Sequence, residues 1–325
     1  MDEKELEMKQ VEEMQRIEEL ARLAGEGDPD ASYELGLYAL HFEDFEVALS
    51  CFINASMENH AEAATAVGAM LLDGKGAEAD PEGAVEWFER AASLGSGAAM
   101  FNLGVMYGSG QGIGQDAQKA VEWYKKAAEQ DHVSAILSLG FAYAEGDGVP
   151  CDDAASFAWF QKAAELGNPI AMDYVGGCYY EGRSVEQDDR KAMEWTRKAA
   201  ELGHAGAMLH MALMYWNGRG ADASDDEAML WLVRAGEAGS LEAARQLGIR
   251  YFTGKGVEKD FEQAIAWSSA AAEQGDTDAM LVLSLIHGDR ESAYFDQDKA
   301  DEWLQKAADL GNENALAMLA QRDRE

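Results

Sequence analysis

The chain has 325 residues, 47% hydrophobic and 27% charged, a composition typical of a folded, water-soluble protein. Acidic residues number 61 and basic residues 26, so the formal net charge is −35, and such a field repels the phosphates of nucleic acids. No apolar run reaches the ~20 residues that a membrane-spanning helix needs, and the N-terminus lacks the basic-then-apolar order of a secretion signal, which predicts a cytoplasmic protein.

The first predicted element is an acidic helix in residues 1–28, which we expect to cap the N-terminal end. Its apolar side consists of Val11, Met14, Ile17, Leu20 and Ala24. Residues 29–60 then read as a degenerate copy of the unit that follows, because Gly36 matches a recurring glycine. Cys51 stands where that unit has tryptophan, and its loop is four residues shorter.

Residues 61–312 contain a tryptophan every 36 residues, and a fixed period of this size is typical of repeat architectures. The seven positions are Trp87, Trp123, Trp159, Trp195, Trp231, Trp267 and Trp303. In the copy at 133–168 the apolar spacing predicts one helix that ends at Gly146. A loop follows, Asp152 is the expected N-cap, and a second helix carries Trp159 and ends at Gly167. Each repeat is therefore predicted to be a helix hairpin.

Small residues recur at fixed columns of the repeat. The glycine column contains Gly36, Gly68, Gly104, Gly140, Gly176 and Gly248, with Ala212 and Ser284 in the same register. A helical glycine costs ~1 kcal/mol relative to alanine, so we expect neighbouring hairpins to approach closely there, with the Trp rings buried between them. Residues 313–325 complete the single repeat domain 1–325 as a C-terminal capping helix and tail.

The recurring pattern A-x-x-x-L-G-x-x-Y…G-x-G-V…D…K-A-x-x-W-x-x-K-A-A-E-x-G resembles the Sel-one-like repeat, a relative of the tetratricopeptide repeat. Residues 100–130 and 245–275 show it clearly. The resemblance implies an all-α, right-handed α-solenoid of about eight 36-residue hairpins, whose concave surface serves adaptors and scaffolds. Some secreted members carry a regular Cys pair in each repeat and have been linked to penicillin binding, but this chain lacks such pairs.

Motifs for catalysis, metals and cofactors are not found. The three cysteines, Cys51, Cys151 and Cys178, form no CxxC and no repeated spacing, which argues against a disulfide framework and a zinc site. His60, His132 and His204 lie 72 residues apart and read as residues of one turn column. GSGQGIG at 108–114 lies between two helices, where a nucleotide-binding loop would follow a strand, so it is predicted to be a turn. We predict no enzyme, no cofactor and no metal.

Binding is expected on the first helix of each hairpin, because first helices line the inner surface in this repeat class. Residues two before and two after the glycine column should form the groove. The predicted partner-binding residues are Tyr38, Asn102, Met106, Tyr174, His210, Met214, Trp216, Gln246 and Arg250. Met and aromatic side chains at exposed positions suit an adaptable binding surface, although ordinary solvent exposure explains any one of them alone.

The predicted function is a monomeric scaffold or adaptor that binds a protein or peptide in this groove. The acidic charge is explained by the solubility of a long exposed surface, and it would also attract a basic partner. An alternative from another class is an acidic immunity protein that covers the active site of a basic toxin or effector. The salt dependence of partner binding separates the two readings.

Overall fold

A computed structural model describes residues 3–322, with the side chains of residues 3, 4 and 6–11 left undescribed. Over residues 3–322 the chain forms eighteen α-helices and no β-strand. It divides into two compact units, one up to residue 162 and one from residue 163 onward. Within each unit, helix pairs pack consecutively, as in a solenoid. The all-α hairpin architecture predicted from the repeat columns is confirmed, whereas one domain over 1–325 stays a prediction.

The helices are numbered in chain order. Up to residue 162 they are α1 (Glu3–Gly25), α2 (Pro29–His41), α3 (Phe45–Met57), α4 (Ala61–Asp73), α5 (Pro81–Ser93), α6 (Gly97–Ser109), α7 (Ala117–Ala128) and α8 (Val133–Glu145). Next comes α9 (Asp153–Glu165), which ends just past the division. Then follow α10 (Pro169–Glu181), α11 (Asp189–Glu201), α12 (Ala205–Asn217), α13 (Asp225–Glu237), α14 (Leu241–Thr253), α15 (Phe261–Glu273), α16 (Thr277–Gly288), α17 (Gln297–Asp309) and α18 (Glu313–Arg322). We call α2 to α16 of even number the first helices, and α3 to α17 of odd number the second helices.

Polar caps set where these helices begin. His132 Nδ1, for example, accepts from the backbone N–H of Ala135 at 3.3 Å and so satisfies a donor that the helix cannot pair internally. The same role at helix starts in this column falls to His60, Ser96, Asn168, His204, Ser240, Asp276 and Asn312. The second helices start from an aspartate in seven cases and from Ser224 in α13. The negative charge of these aspartates also interacts favourably with the positive end of the helix dipole.

The glycine column packs inside its own hairpin. A Cβ at Gly140 would lie 2.9 Å from ring carbons of Phe160, the residue after Trp159, and at Gly68 it would lie 2.7 Å from Phe88. Both Phe side chains are fully buried. The expectation that these glycines admit the neighbouring hairpin is therefore wrong, because the close approach is between the two helices of one hairpin.

The tryptophan column lies at the edge of the core. Six of the seven rings are half-buried, and only Trp231 is buried. A basic side chain three residues later covers several of them, as Lys126 Nζ does at 3.7 Å from the Trp123 ring centroid and Lys198 Nζ at 4.3 Å from that of Trp195. Equivalent environments are thus largely found, but full burial of these rings is wrong, since the residue after each tryptophan points at the glycine column.

The sequence GSGQGIG forms the turn between α6 and α7. Gly112 has φ +70°, and a Cβ there would collide with the carbonyl group of Pro81 in α5. Only glycine meets both the backbone conformation and this close approach. The turn prediction is confirmed, and the loop rests directly on the preceding hairpin.

The caps of several first helices also contact the preceding first helix, three residues before that helix's glycine column. Thr65 Oγ1 lies 2.9 Å from Ser96 Oγ, and Phe101 stacks on the His132 ring at 4.9 Å between centroids. In the second unit Arg245 Nε lies 3.6 Å from Asp276 Oδ2. We call these pairs the cap ladder.

The terminal helices match the predicted caps only in part. Leu20 is buried, but Met14 is exposed, and the Val11 side chain lies outside the described residues. Helix α1 also contacts α2 through polar groups, since Arg16 Nη2 donates to Glu34 Oε2 at 2.9 Å. At the other end Ala315 of α18 is buried, while residues 323–325 lie outside the described part.

Candidate functional site

One position of the first helices, directly after the glycine column, is exposed in six of the eight copies and half-buried at Gly177 and Ile249. We call these residues the exposed row: Leu37, Ala69, Val105, Phe141, Gly177, Leu213, Ile249 and Leu285. The five large apolar members Leu37, Val105, Phe141, Leu213 and Leu285 are 37% to 44% exposed. Single exposed apolar residues are common, but the same helix position recurring at multiples of 36 residues gives each unit an apolar line.

The residues two before the glycine column share this face, as predicted. They precede the exposed row by three positions, which places them ~60° away around the helix. Asn102, Tyr174 and Gln246 are half-buried, and His210 is exposed. Gln246 Nε2 donates to Glu242 Oε1 at 2.7 Å. The guanidinium carbon of Arg183 lies 4.9 Å from the centroid of the Tyr174 ring.

The residues two after the glycine column do not line an open surface. Met106 and Met214 are only 1% and 3% exposed, so their placement in an exposed groove is wrong. They follow the exposed row by one residue, which turns them ~100° away from it. Met106 packs instead in a core cluster with Val85 and Phe88 of α5.

The remaining predicted residues are partly covered by neighbours. Tyr38 is half-buried, and its hydroxyl donates to Glu13 of α1. Trp216 is half-buried under Arg250, whose guanidinium carbon lies 3.5 Å from the ring centroid. The Trp216 Nε1 atom is buried and makes no hydrogen bond, and burial lowers the pKa of Arg250. Trp216 is therefore a poorer anchor for a partner than its isolated position in the sequence indicates.

A cavity of about 220 Å³ opens at Gly177, within the unit that begins at residue 163. It is lined from α10 by Gly176, Gly177, Tyr180 and Glu181, from α11 by Thr196, and from α12 by His210, Leu213, Met214 and Asn217. Thr196 occupies the place that Phe160 fills in α9. Sequence reasoning missed this cavity, although both columns change to a smaller residue at these two positions.

Asp173 joins two histidines beside the cavity. Its buried carboxylate lies 2.8 Å from His210 Nδ1 and 3.6 Å from His204 Nδ1. The hydrogen bond to Asp173 raises the pKa of His210, because it favours the protonated ring. His204 Nδ1 accepts from the backbone N–H of Ala207, so that lone pair is committed to capping α12. Asp173 thus favours the protonated form of His210 and fixes the orientation of its ring.

His60, His132 and His204 are helix caps, as their place in the repeat indicates. Among the described residues, no three His, Cys, Asp or Glu side chains are grouped so that they could hold a metal ion. Within the described part of the chain, no disulfide bond joins Cys51, Cys151 and Cys178.

Comparison with known families gives one result for most of the chain. The Sel1 repeat matches seven times in succession, at residues 61–96, 97–132, 133–168, 169–204, 205–240, 241–276 and 277–312. The chain belongs to the Sel1 repeat family. The resemblance inferred from the repeat pattern is confirmed.

Two solved Sel1 repeat structures show the same fold. One is a Sel1 repeat protein from Oxalobacter formigenes, 33% identical, with a TM-score of 0.76 over 94% of this chain and 90% of that one. The other is c5321, a protective antigen present in uropathogenic Escherichia coli strains, 32% identical, with a TM-score of 0.79. That match covers 93% of this chain but only 66% of the antigen. No curated protein matches the sequence.

Sel1 repeat proteins generally mediate protein–protein interaction, on a fold that is generally a non-catalytic scaffold. In the described part of this chain, no helix combines the length and the apolar character needed to cross a bilayer. The fold therefore points to protein partners.

Proposed function

We propose that this Sel1 repeat chain is a non-enzymatic scaffold that binds a partner protein or peptide on the exposed row. The observation that carries the proposal is the recurrence of large apolar side chains at one open helix position, Val105 and Phe141 in one unit and Leu213 and Leu285 in the other. Apolar side chains that recur on one exposed face, rather than singly, are a common feature of interaction sites.

The residues two before the glycine column supply the polar rim of the row. Asn102, Tyr174, His210 and Gln246 lie on the same face and can orient a bound segment by hydrogen bonds. A partly apolar centre with a polar border is the usual composition of a protein interface. Among the residues predicted from sequence we therefore assign the rim to these four, whereas Met106 packs in the core and Met214 lines the cavity beside the row.

The charge of the two units favours a basic partner. The sequence places 31 acidic and 10 basic residues up to residue 162, and 30 acidic and 16 basic residues after it. Both units are thus negative, so a positively charged partner associates faster than a neutral one. We propose in addition that the protein is monomeric and cytoplasmic, which mass photometry and cell fractionation measure.

The test of the scaffold function is site-specific photo-crosslinking in cells. A benzophenone amino acid is placed at Phe141 and at Leu213 in the row, and at Leu202 and Leu310 as controls. The controls are apolar and more exposed than the row positions, and they lie at the ends of second helices. We expect the same partner adduct from both row positions and none from the controls. Equal adducts from all four positions, or adducts from the controls alone, contradict the proposal.

The identified partner then allows the affinity to be measured. Phe141→Asp should weaken binding about 30-fold or more, because a central apolar anchor contributes ~2 kcal/mol or more. Leu202→Asp adds the same charge away from the row and should leave the dissociation constant unchanged. A Phe141→Asp variant that binds normally removes the row from the interface.

The second candidate function is that of an acidic immunity protein, and the net charge of −35 is the observation that favours it. An inhibitor that covers a basic active site depends on its field, so raising salt from low to physiological should slow association steeply. Phe141→Asp should then leave affinity unchanged or increase it. A weak dependence on salt, together with loss of binding in Phe141→Asp, excludes this alternative.

A further inference from the structure

The cavity at Gly177 lies at a break in the exposed row. At equivalent positions Phe141 and Leu213 project a large side chain, whereas Gly177 projects none. A Cβ added at Gly177 would meet no atom within 4 Å, so packing does not require glycine there. At the adjacent Gly176, by contrast, a Cβ would collide with the hydroxyl of Thr196. A helical glycine without such a contact destabilises the helix relative to alanine, and what it provides here is open space.

The size of the cavity suits one side chain. Sites for small metabolites occupy about 300–1,000 Å³, and this cavity measures about 220 Å³. Its apolar walls are Leu213, Met214 and Tyr180, with Thr196 at one side. A Met sulfur and a Tyr ring both form favourable contacts with an aromatic ring. Phe is therefore the occupant that these walls favour.

The charges around the cavity favour basic residues beside that ring. Helices α10 and α12 carry two carboxylates, Asp173 and Glu181, and no lysine or arginine. The guanidinium groups in the turns that follow α12 and α10 already face carboxylates. Arg219 Nε donates to Asp189 at 3.0 Å and Arg183 Nε lies 3.5 Å from Glu181. Both carboxylates are engaged, Asp173 with His210 and Glu181 with Arg183, so the attraction for a basic segment comes from the unit as a whole, which has 30 acidic and 16 basic residues.

We propose that this cavity is a docking subsite for one large apolar side chain, best a phenylalanine, carried by a basic peptide segment of the partner. The proposal rests on the scaffold function and adds to it the chemistry of the segment that binds. The row gives each unit a general apolar surface, and the cavity selects the position at which one anchor residue inserts.

The binding test uses capped tripeptides and amide NMR spectra of the full chain. Lys-Phe-Lys should shift the signals of Gly176, Gly177 and Leu213 in a saturable way. Lys-Ala-Lys lacks the anchor and Asp-Phe-Asp reverses the charge, and each should bind at least 10-fold more weakly. Equal binding of Lys-Ala-Lys overturns the anchor, and equal binding of Asp-Phe-Asp overturns the basic segment.

The decisive variant is Gly177→Leu, which gives the row the side chain that it has at Leu213. Because the added Cβ meets open space, we expect a folded protein with an unchanged or higher melting temperature, in which Lys-Phe-Lys binding falls at least 10-fold. Gly25→Leu is the matched control, since Gly25 is also a helical glycine whose added Cβ meets no atom within 4 Å, and it lies in α1, outside the row. Its binding should equal that of the wild type.

The outcomes separate this proposal from the scaffold function. If Gly177→Leu is folded and binds Lys-Phe-Lys as the wild type does, the subsite is overturned, while crosslinking from Phe141 and Leu213 can still succeed. If the peptide binds as expected but those positions give no adduct, the row fails and the cavity remains as the binding site.

Discussion

The hairpin of α8 and α9 and the hairpin of α10 and α11 share one backbone plan but differ in their interiors. In the first, Gly140 faces the buried ring of Phe160, and Phe141 meets that ring edge-on at 4.9 Å between centroids. In the second, the equivalent residues are Gly176, Thr196 and Gly177. One interior is filled by aromatic side chains, and the other borders a cavity of about 220 Å³.

The difference shows how a repeat protein can become specific at one place. Caps and column glycines are kept in both hairpins, so the backbone is built in the same way. The residues at 141 and 177, and at 160 and 196, can then change in size without altering the repeat. Removing side-chain atoms at two facing positions creates a site while the rest of the stack stays regular.

The largest effect is expected from emptying the filled interior. Phe160→Ala should destabilise the α8–α9 hairpin by about 3–5 kcal/mol, because a fully buried ring is lost and a cavity remains. Trp159→Ala should cost less, since that ring is half-buried. Repeat arrays need not unfold in one step, so hydrogen exchange of the α8 amides is the suitable measurement. If Trp159→Ala reduced stability more than Phe160→Ala, the tryptophan column would be the centre of the core.

The next effect has opposite signs in the two hairpins. Gly140→Ala should destabilise by about 1–3 kcal/mol, because its Cβ would press on the Phe160 ring. Gly177→Ala should stabilise by about 0.5–1 kcal/mol, since it improves the helix without a clash. Amide exchange in α8 and in α10 compares them directly. If both substitutions destabilise, the open space beside Gly177 is not available to a side chain.

The smallest effect concerns the caps. His132→Ala and Asn168→Ala should each reduce the free energy of unfolding by about 1 kcal/mol, since each removes a helix cap. For His132 this effect is larger than the near-neutral one expected of a turn residue. Burial lowers the pKa of His132 below its ordinary 6.5. Its contribution is therefore complete above about pH 6.5 and is lost as the pH falls through the folded value.

The Asn168 cap does not titrate and provides the control for this dependence. Measured between pH 5 and 8, the effect of His132→Ala should shrink in acid, while that of Asn168→Ala should stay constant. A cap effect of His132 that is independent of pH would show that Nδ1 is not the acceptor.

Most of the fold was predictable because the chain repeats itself. The 36-residue spacing of Trp87 to Trp303 identified the hairpins, and Asp152 was recognised as a cap from its place after a loop. The repeat columns do not reveal which side of a helix faces the core. Trp159 was expected in the core and Phe160 was not considered, because adjacent helix positions differ by ~100° and only packing shows which one faces Gly140.

The site was predictable in chemical character but not in position. Variable residues on the first helices are expected to bind; of these, His210 is exposed and Asn102, Tyr174 and Gln246 are half-buried, and their part in binding stays a prediction. The choice of Met106 and Met214 failed because variable, apolar positions occur both in cores and on surfaces. The cavity depends on residues 177 and 196, which are far apart in the sequence and become neighbours only after α10 packs on α11.

The cap ladder has a consequence for the order in which the chain folds. Ser96, which starts α6, lies 2.9 Å from Thr65 of α4, and Asn312, which starts α18, donates to Thr277 of α16 at 3.1 Å. The residue that starts each of these helices is therefore positioned by a helix of the preceding hairpin. Helix initiation is the unfavourable step of helix formation, so a formed hairpin lowers the barrier for its successor. Within each unit, we therefore expect one hairpin to form first and the hairpins that follow it along the chain to form after it, in order.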